Sequence, residues 1–260
     1  MLGNNMMNDV LRSILSSKSV VTDGGITRSL ISNISEEEGN FLQKIIRSAR
    51  PQVSLEVGCA YGISSLYICE ALREVNATKH IIIDPGQHFP HGKGPFTGWE
   101  GVGLANLRRA GYADLVDFYE VPSHLGLSRM AEERVKIDFA FIDGQHTFDY
   151  VLVDLFLIDK LLKPGGIVVL DDFFYPSIQS VCRYFLLNLR YKCMGPQSIA
   201  AWRKPRTVGR IIRHSGLFAL RRHLQLNLPI SNYVALQKLQ DDLIGEGPGT
   251  TRHWKDHIRF

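Results

Sequence analysis

The sequence predicts an α/β fold: a mostly parallel β-sheet with helices on both faces, around one principal core. Three observations predict it. From Pro51 onward the chain repeats a short apolar strand, a turn rich in glycine or aspartate, and a helix, the grammar of βαβ crossovers. The strands in this pattern are near-continuous apolar runs, as expected where both faces of a sheet are covered. A length of 260 residues with 45% hydrophobic and 22% charged residues is ordinary globular usage, sufficient for one α/β domain and contrary to a disordered or fibrous chain.

Residues 1–34 are polar and irregular and read as an N-terminal extension with a short helix over residues 8–17. The main domain is expected over 35–260. Ser35 and Glu38 have capping-box spacing, and Phe41, Leu42, Ile45 and Ile46 follow as an apolar stripe at helical period, so a helix runs from there to about Ala49. Strands are expected at 53–57, 80–84, 115–121, 137–142 and 166–171, with helices between them at 63–73, 101–110, 125–134 and 148–162. Lys163-Pro164-Gly165-Gly166 ends the last of these helices, because proline cannot continue it and glycine takes the turn conformations that follow. Beyond lie a helix at 177–189 and a late strand at 233–238, separated by a basic segment. No internal repeat, low-complexity tract or second-domain linker is visible.

The formal charge of +4 is too modest to imply nucleic acid by itself. Four cysteines, Cys59, Cys69, Cys182 and Cys193, form no C-x-x-C pair, and Cys59 lies inside a glycine turn where a disulfide would obstruct a ligand. A reducing, cytoplasmic setting is the expectation. The N-terminus lacks the pattern of a secretory signal, and the most apolar stretch, 151–162, is interrupted by Asp154, Asp159 and Lys160 and is too short to cross a bilayer.

The first strand ends in Glu56, and Gly58-x-x-x-Gly62 then opens a helix. Glycine has no Cβ to hold off a ligand, so a nucleotide-like molecule is implied. Dinucleotide enzymes carry a related turn, G-x-G-x-x-G, with a pyrophosphate on the helix N-terminus. Here Ala60 stands where a middle glycine would be, and Glu56 would repel a pyrophosphate. S-adenosylmethionine has no phosphate and carries a cationic ammonium and sulfonium, so the same acid becomes favourable. Asp84 ends the second strand, where nucleotide-binding sheets put the carboxylate that takes ribose hydroxyls; the alternative is a cap on the turn at Pro85-Gly86.

With Glu56, Gly58, Gly62 and Asp84 in register, residues 35 to about 175 resemble the class I S-adenosylmethionine-dependent methyltransferases. Within these the likeness is to metal-assisted small-molecule O-methyltransferases of the catechol and caffeoyl-CoA kind. The run Phe141-Ile142-Asp143-Gly144-Gln145-His146 and the pair Asp149 and Asp154 resemble the bacterial sugar and natural-product branch. The resemblance implies a Rossmann-like three-layer sandwich with a seven-stranded sheet whose last hairpin strand is antiparallel. It implies that Glu56, Gly58, Ala60 and Gly62 line the methionine part, that Ser64 meets its carboxylate, that Asp84 holds the ribose, that Ser123 and His124 lie beside the adenine, and that Asp143 also borders the cofactor. Ser123 reads equally as the cap of the following helix.

In an open α/β sheet ligands sit beyond the carboxyl ends of the strands, so Asp143, Asp171 and Asp172 should converge there. Three crowded carboxylates either rise in pKa or share a hard cation, and oxygen ligands without cysteine suit Mg²⁺. The alternative is that Asp171 and Asp172 cap the next helix while Asp143 binds backbone. His146 occupies the position of a lysine base in catechol-type relatives, and a histidine suits proton removal near neutral pH; it reads also as a helix cap. Gln87, His88, His91 and Trp99 belong to a loop that forms either an acceptor wall or an idle surface.

From Arg203 to His223 an amphipathic basic insertion fits an anionic acceptor, a membrane surface, RNA, or simply a solvated face packed on the fold or a second subunit. His253 and His257 have i, i+4 spacing but no third ligand, so zinc is not expected. The expected partner is a small-molecule acceptor with a hydroxyl group, and a homo-oligomer is allowed. The competing functions are a metal-independent methyltransferase and an RNA-binding protein that retains the fold. The last is disfavoured by the lack of interleaved aromatics on a sheet face or any RNA module.

Overall fold

The computed structural model describes residues 7–91, 98–195 and 232–241; the basic insertion and the C-terminal histidines lie outside them. In chain order the elements are α1 (Asp9–Ser17), β1 (Ser19–Val21), β2 (Thr27–Ser29), α2 (Glu36–Ala49), β3 (Val53–Val57), α3 (Ile63–Glu74), β4 (Lys79–Ile83), α4 (Val102–Arg109), β5 (Val116–Tyr119), α5 (Ser123–Glu132), β6 (Ile137–Ile142), α6 (Phe148–Leu161), β7 (Leu162–Leu170), α7 (Pro176–Asn188), β8 (Tyr191–Gly195) and β9 (Val234–Lys238). Seven strands form one sheet in the order β5-β4-β3-β6-β7-β9-β8. The first five run parallel, whereas β9 is antiparallel to both β7 and β8. The expected three-layer α/β sandwich is therefore present.

Alternation along the strands sends side chains to opposite faces, and each face has its own core. Ile82, Phe139, Phe141 and Val169 pack under α1, α2, α3 and α4. Leu55, Val57, Ile81, Ala140, Val168 and Leu236 pack under α5, α6 and α7. Each of the larger of these side chains contributes about 1.5–3 kcal/mol relative to exposure. The strand order reverses between β3 and β6, so the chain opens a crevice between their carboxyl ends, the usual ligand site of an open α/β sheet.

The N-terminal residues are more ordered than their sequence predicts. Asn8 caps α1 through its side chain, which accepts from the Val10 amide, and Leu11, Ile14 and Leu15 are buried. The hairpin β1–β2 was not legible, because three-residue strands are too short to show a period of two. Its tether is ionic: Arg28 makes a bidentate pair with Glu100, at 2.8 and 2.9 Å, and Asp23 joins Arg108 and Arg109 of α4. The strand expected at 166–171 instead starts at Leu162. It passes through Pro164 and Gly165 as a bulge between the pairs Leu162–Ile137 and Ile167–Phe139, with Gly165 at φ 86°.

Two buried acids interrupt the apolar helix α6. Asp159 is explained by its partners: Tyr191 donates to it at 2.8 Å, and Lys160 pairs with it at 3.0 Å. The buried Lys238 ammonium closes the same cluster, donating to the backbone carbonyls of Asp159 and Leu162 and so pinning the end of β9. Asp154 is buried without such partners.

Candidate active site

The glycine turn is shaped by its protein neighbours. Gly58 stands at φ 90°, and a Cβ on it would lie 2.0 Å from the Asp143 carbonyl oxygen, so glycine is required where β3 and β6 leave the sheet side by side. Gly62 stands at φ 78° against the backbone of Gly103 in α4, and Gly103 in turn lies against Ala60 and Cys59. Ala60 itself is left-handed, at φ 46°.

Glu56 lies beneath this turn, fully buried. Its Oε1 accepts from the Ser64 hydroxyl and its Oε2 from Ser65, both at 2.5 Å, and His80 Nε2 lies 3.0 Å from Oε2. His80 Nδ1 is 2.8 Å from Ser54 Oγ. The acid thus clamps the first turn of α3 to β3 and β4 and reaches the ligand side through Ser64. Ser65 and His80 were not singled out from sequence; a histidine opening the apolar run Ile81-Ile82-Ile83 is the signal that could have found one of them.

Asp84 caps the turn at Pro85-Gly86 and also binds the glycine turn. Its Oδ1 accepts from the Gly86 amide at 2.7 Å, and its Oδ2 accepts from the amides of Cys59 and Ala60 at 2.9 and 3.0 Å. A carboxylate has about four acceptor positions, so Oδ1 retains one for a ligand hydroxyl. Gln87, also buried, donates to the Ala60 carbonyl and has an Oε1 without a partner. Trp99 meets Tyr61 edge-on at 5.1 Å. His88 and Glu120 pair at 2.6 Å and, with Pro85, Phe89 and Pro122, line a cavity of about 390 Å³ between the ends of β4 and β5. His91 is exposed. Helix α5 is entered from Pro122 without a side-chain cap, so Ser123 is its first residue and not its cap.

At the ends of β6 and β7 the ligand atoms of Asp143, His146 and Asp172 lie within 4.8 Å of one another. His146 Nε2 is 3.0 Å from Asp172 Oδ2, and its ring stacks on Tyr175 at 5.6 Å. Thr147 holds the cap position of α6 and Tyr175 that of α7, so the capping alternatives for His146, Asp171 and Asp172 do not hold. Asp172 is left-handed, at φ 52°, a conformation aspartate tolerates but one that costs energy and often marks a functional site. Asp171 turns away from the group: its Oδ1 accepts from the Asp172 amide at 2.6 Å and from Asn232 at 2.8 Å.

A fourth acid reaches this cluster. Ser35 caps α2 by accepting from the Glu38 amide, as the capping-box spacing predicts, but the Glu38 carboxyl is buried beside Asp171. Burial, and then Asp171, raise its pKa to about 9. Burial and the Asp171 and Asp172 carboxyls push Asp143 well above the usual carboxylate range; burial raises Asp171 and Asp172 too, with His146 opposing it at both. Such a donor set fits a hard divalent cation, whose charge would relieve the crowding. A raised carboxyl stabilises the fold fully below its unfolded pKa and loses that contribution as pH rises through its folded value. Glu38→Gln is accordingly expected to flatten the decline of melting temperature between pH about 4.5 and about 9, measured by calorimetry across that range. A decline as steep as that of the parent would place the titration elsewhere.

Residues 55–173 match the family model described as a methyltransferase domain. A caffeoyl-CoA O-methyltransferase of Populus kitakamiensis is 28% identical over 143 residues, 52% of this chain and 53% of that protein. Catechol O-methyltransferase of Bos taurus is 24% identical over 170 residues, covering 62% and 56%. The chain spans about half the length of these curated relatives. Among solved structures, the O-methyltransferase from Bacillus cereus in complex with SAH superposes with a TM-score of 0.54 at 17% identity, covering 74% of this chain and 83% of that one. O-methyltransferase TomG from Streptomyces achromogenes, in complex with SAM, gives 0.53 at 16%, covering 80% and 82%. At these identities the structures show the fold. Residues 55–173, a little under half of the chain, are thus similar to a methyltransferase domain, and the sheet that carries them is Rossmann-like.

Proposed function

We propose that the protein transfers a methyl group from S-adenosylmethionine to a hydroxyl of a small-molecule acceptor, with a divalent cation, Mg²⁺ by donor chemistry, at the acid cluster. The observation that carries this reading is the convergence of Asp143, His146 and Asp172 at the switch point of the sheet, beside the glycine turn. The relatives named as O-methyltransferases support it. When bound, the cofactor supplies an electrophilic methyl carbon and the cation lowers the acceptor hydroxyl's pKa.

The chain's own residues do the rest. The turn from Gly58 to Gly62 and Ser64 bind the methionine end, and Glu56 supplies a buried negative charge beneath a cationic ligand. Asp84 offers its remaining acceptor position to the ribose, and Ser123 and His124 border the adenine next to the cavity between β4 and β5. Asp143 and Asp172 would hold the cation, with Asp171 fixing the Asp172 amide from behind. With its Nε2–H donating to Asp172, His146 keeps a lone pair on Nδ1 to take the acceptor's proton, and Asp172 stabilises the resulting imidazolium. Tyr175 holds the ring plane.

The direct His146–Asp172 pair also favours a second reading, in which that dyad removes the proton without a cation. Calorimetric titration with S-adenosylmethionine and its demethylated product, with and without Mg²⁺, tests the donor. No binding under either condition overturns the proposal. Methyl transfer to hydroxyl acceptors that survives a chelator leaves the metal-free dyad as the mechanism.

A further inference from the structure

Helix α6 is apolar around most of its circumference, a pattern that belongs to a covered helix, yet it lies in an outer layer of the sandwich between α5 and α7. Its inner face is accounted for, since Val151, Leu155 and Ile158 pack into the core beneath. Its outer face carries Val153 and Phe156, 40% and 52% exposed, with Leu152 and Leu157 half-buried beside them. The neighbouring helices of the same layer turn polar residues outward, Ser128, Arg129 and Glu132 on α5 and Ser180 and Arg183 on α7. A contiguous apolar stripe with a polar surround marks an interaction surface.

We propose that the outer face of α6 is the contact between two copies of this chain, paired antiparallel across a twofold axis. The stripe reads Asp149, Val153, Phe156, Lys160, with spacings of four, three and four residues, which is the seam period of paired helices and is the same in both directions. A twofold interface needs a self-complementary patch, in which residue i meets j and j meets i. With the axis between Asp154 and Leu155, Asp149 faces the partner's Lys160, Val153 the partner's Phe156, and Leu152 the partner's Leu157. One register thus satisfies the charged and the apolar pairs together, each formed twice. The end charges are placed for it. Asp149 accepts from Thr147 at the start of the helix and is exposed. Lys160 is held at the far end by Asp159 at 3.0 Å, its ammonium 5.0 Å from the centre of the Phe156 ring. Both charges also suit the dipole ends at which they sit. A membrane surface would call for a basic surround, whereas here acid and base balance. Three helices side by side, each about 20 Å long and about 10 Å apart, present roughly 600 Å² per copy, the low end for a specific interface, so a dissociation constant of micromolar order is expected.

The pairing does not depend on the chemistry proposed above, and sedimentation velocity of the full chain from about 1 to about 100 µM tests it. The parent is expected to pass from monomer to dimer across that range. Phe156→Ser should stay monomeric and folded, because the side chain it removes is exposed within one copy. Asp149→Lys and Lys160→Glu each set like charges against each other twice and should weaken association by about tenfold or more. Mixed in equal amounts, these two variants should associate again, since each altered end then meets an opposite charge; a residue that acted only within its own chain would not be cured by mixing. If Lys160→Glu does not fold, Asp149→Lys carries the test alone: added salt should strengthen its association by screening the like charges, and weaken the parent's. A parent that is monomeric throughout overturns the proposal. So does a dimer that survives Phe156→Ser, which must be built elsewhere. A dimer lost in Phe156→Ser but indifferent to both charge changes overturns the antiparallel register.

Discussion

Gly58→Ala is expected to destabilise the protein by about 4 kcal/mol or more, beyond the ordinary range of single substitutions. Two separate costs add at this position. A non-glycine residue in the left-handed region costs roughly 1–2 kcal/mol, and the φ of 90° lies at its far edge. The new methyl would also lie 2.0 Å from the Asp143 carbonyl oxygen and 2.8 Å from its carbon, both backbone atoms that no rotamer change can move. The strand ends cannot part readily, because the Gly58 amide donates to Ile83 and the Asp143 amide donates to Val57, each at 2.9 Å. Gly165→Ala is the control. Its φ is 86°, yet nothing lies within 4 Å of the added Cβ, so only the conformational cost of roughly 1–2 kcal/mol applies. At about 2–4 °C per kcal/mol for a chain of this size, the two melting temperatures should separate clearly. Equal shifts would mean that the close approach of β3 and β6 is not rigid, and with it the placing of Asp143 beside the glycine turn.

How much of this could be read from the sequence follows from the range of the interactions. The central strands β3, β4 and β6 announce themselves because burial on both faces demands unbroken apolar runs such as Ile81-Ile82-Ile83 and Phe139-Ala140-Phe141. Asp143 and His146 were legible as a pair because they sit in one short turn. Glu38 was not. Its spacing from Ser35 announces a helix cap, and half of that cap forms, but its carboxyl is spent on Asp171, more than a hundred residues away, where no local pattern could point. Asp171 and Asp172 likewise look interchangeable as neighbours at a strand end. The left-handed backbone of Asp172 separates them, turning one toward His146 and the other toward Asn232. Glu56 was legible as an acid at the right place, while its burial under Ser64, Ser65 and His80 depends on how α3 docks on the sheet.

Asp143→Asn is expected to lower the rate of methyl transfer by on the order of 10³-fold while leaving a folded and more stable protein. The substitution keeps the shape of the side chain, so the packing around β6 survives, but it removes one charge from a group whose burial and neighbouring carboxyls raise the Asp143 pKa. Under the proposed function that charge helps hold the cation, which is worth several kcal/mol at the developing oxyanion, and each 1.36 kcal/mol is tenfold in rate. Stability should move the other way. Because the folded-state pKa of Asp143 is raised, its favourable contribution is complete only below the unfolded value near 3.8 and is lost as pH rises through the folded one. The parent should therefore melt at falling temperatures as pH rises, the asparagine variant less steeply, and added Mg²⁺ should restore the parent more than the variant because the cation replaces the missing protons. Single-turnover rates and calorimetric melting with and without Mg²⁺ read both effects on the same preparations. A variant within tenfold of the parent in rate, with an undiminished Mg²⁺ shift, would remove Asp143 from the site. A slow variant whose parent shows no Mg²⁺ shift would instead assign the loss to the His146–Asp172 dyad, which stands within reach of the same carboxyl.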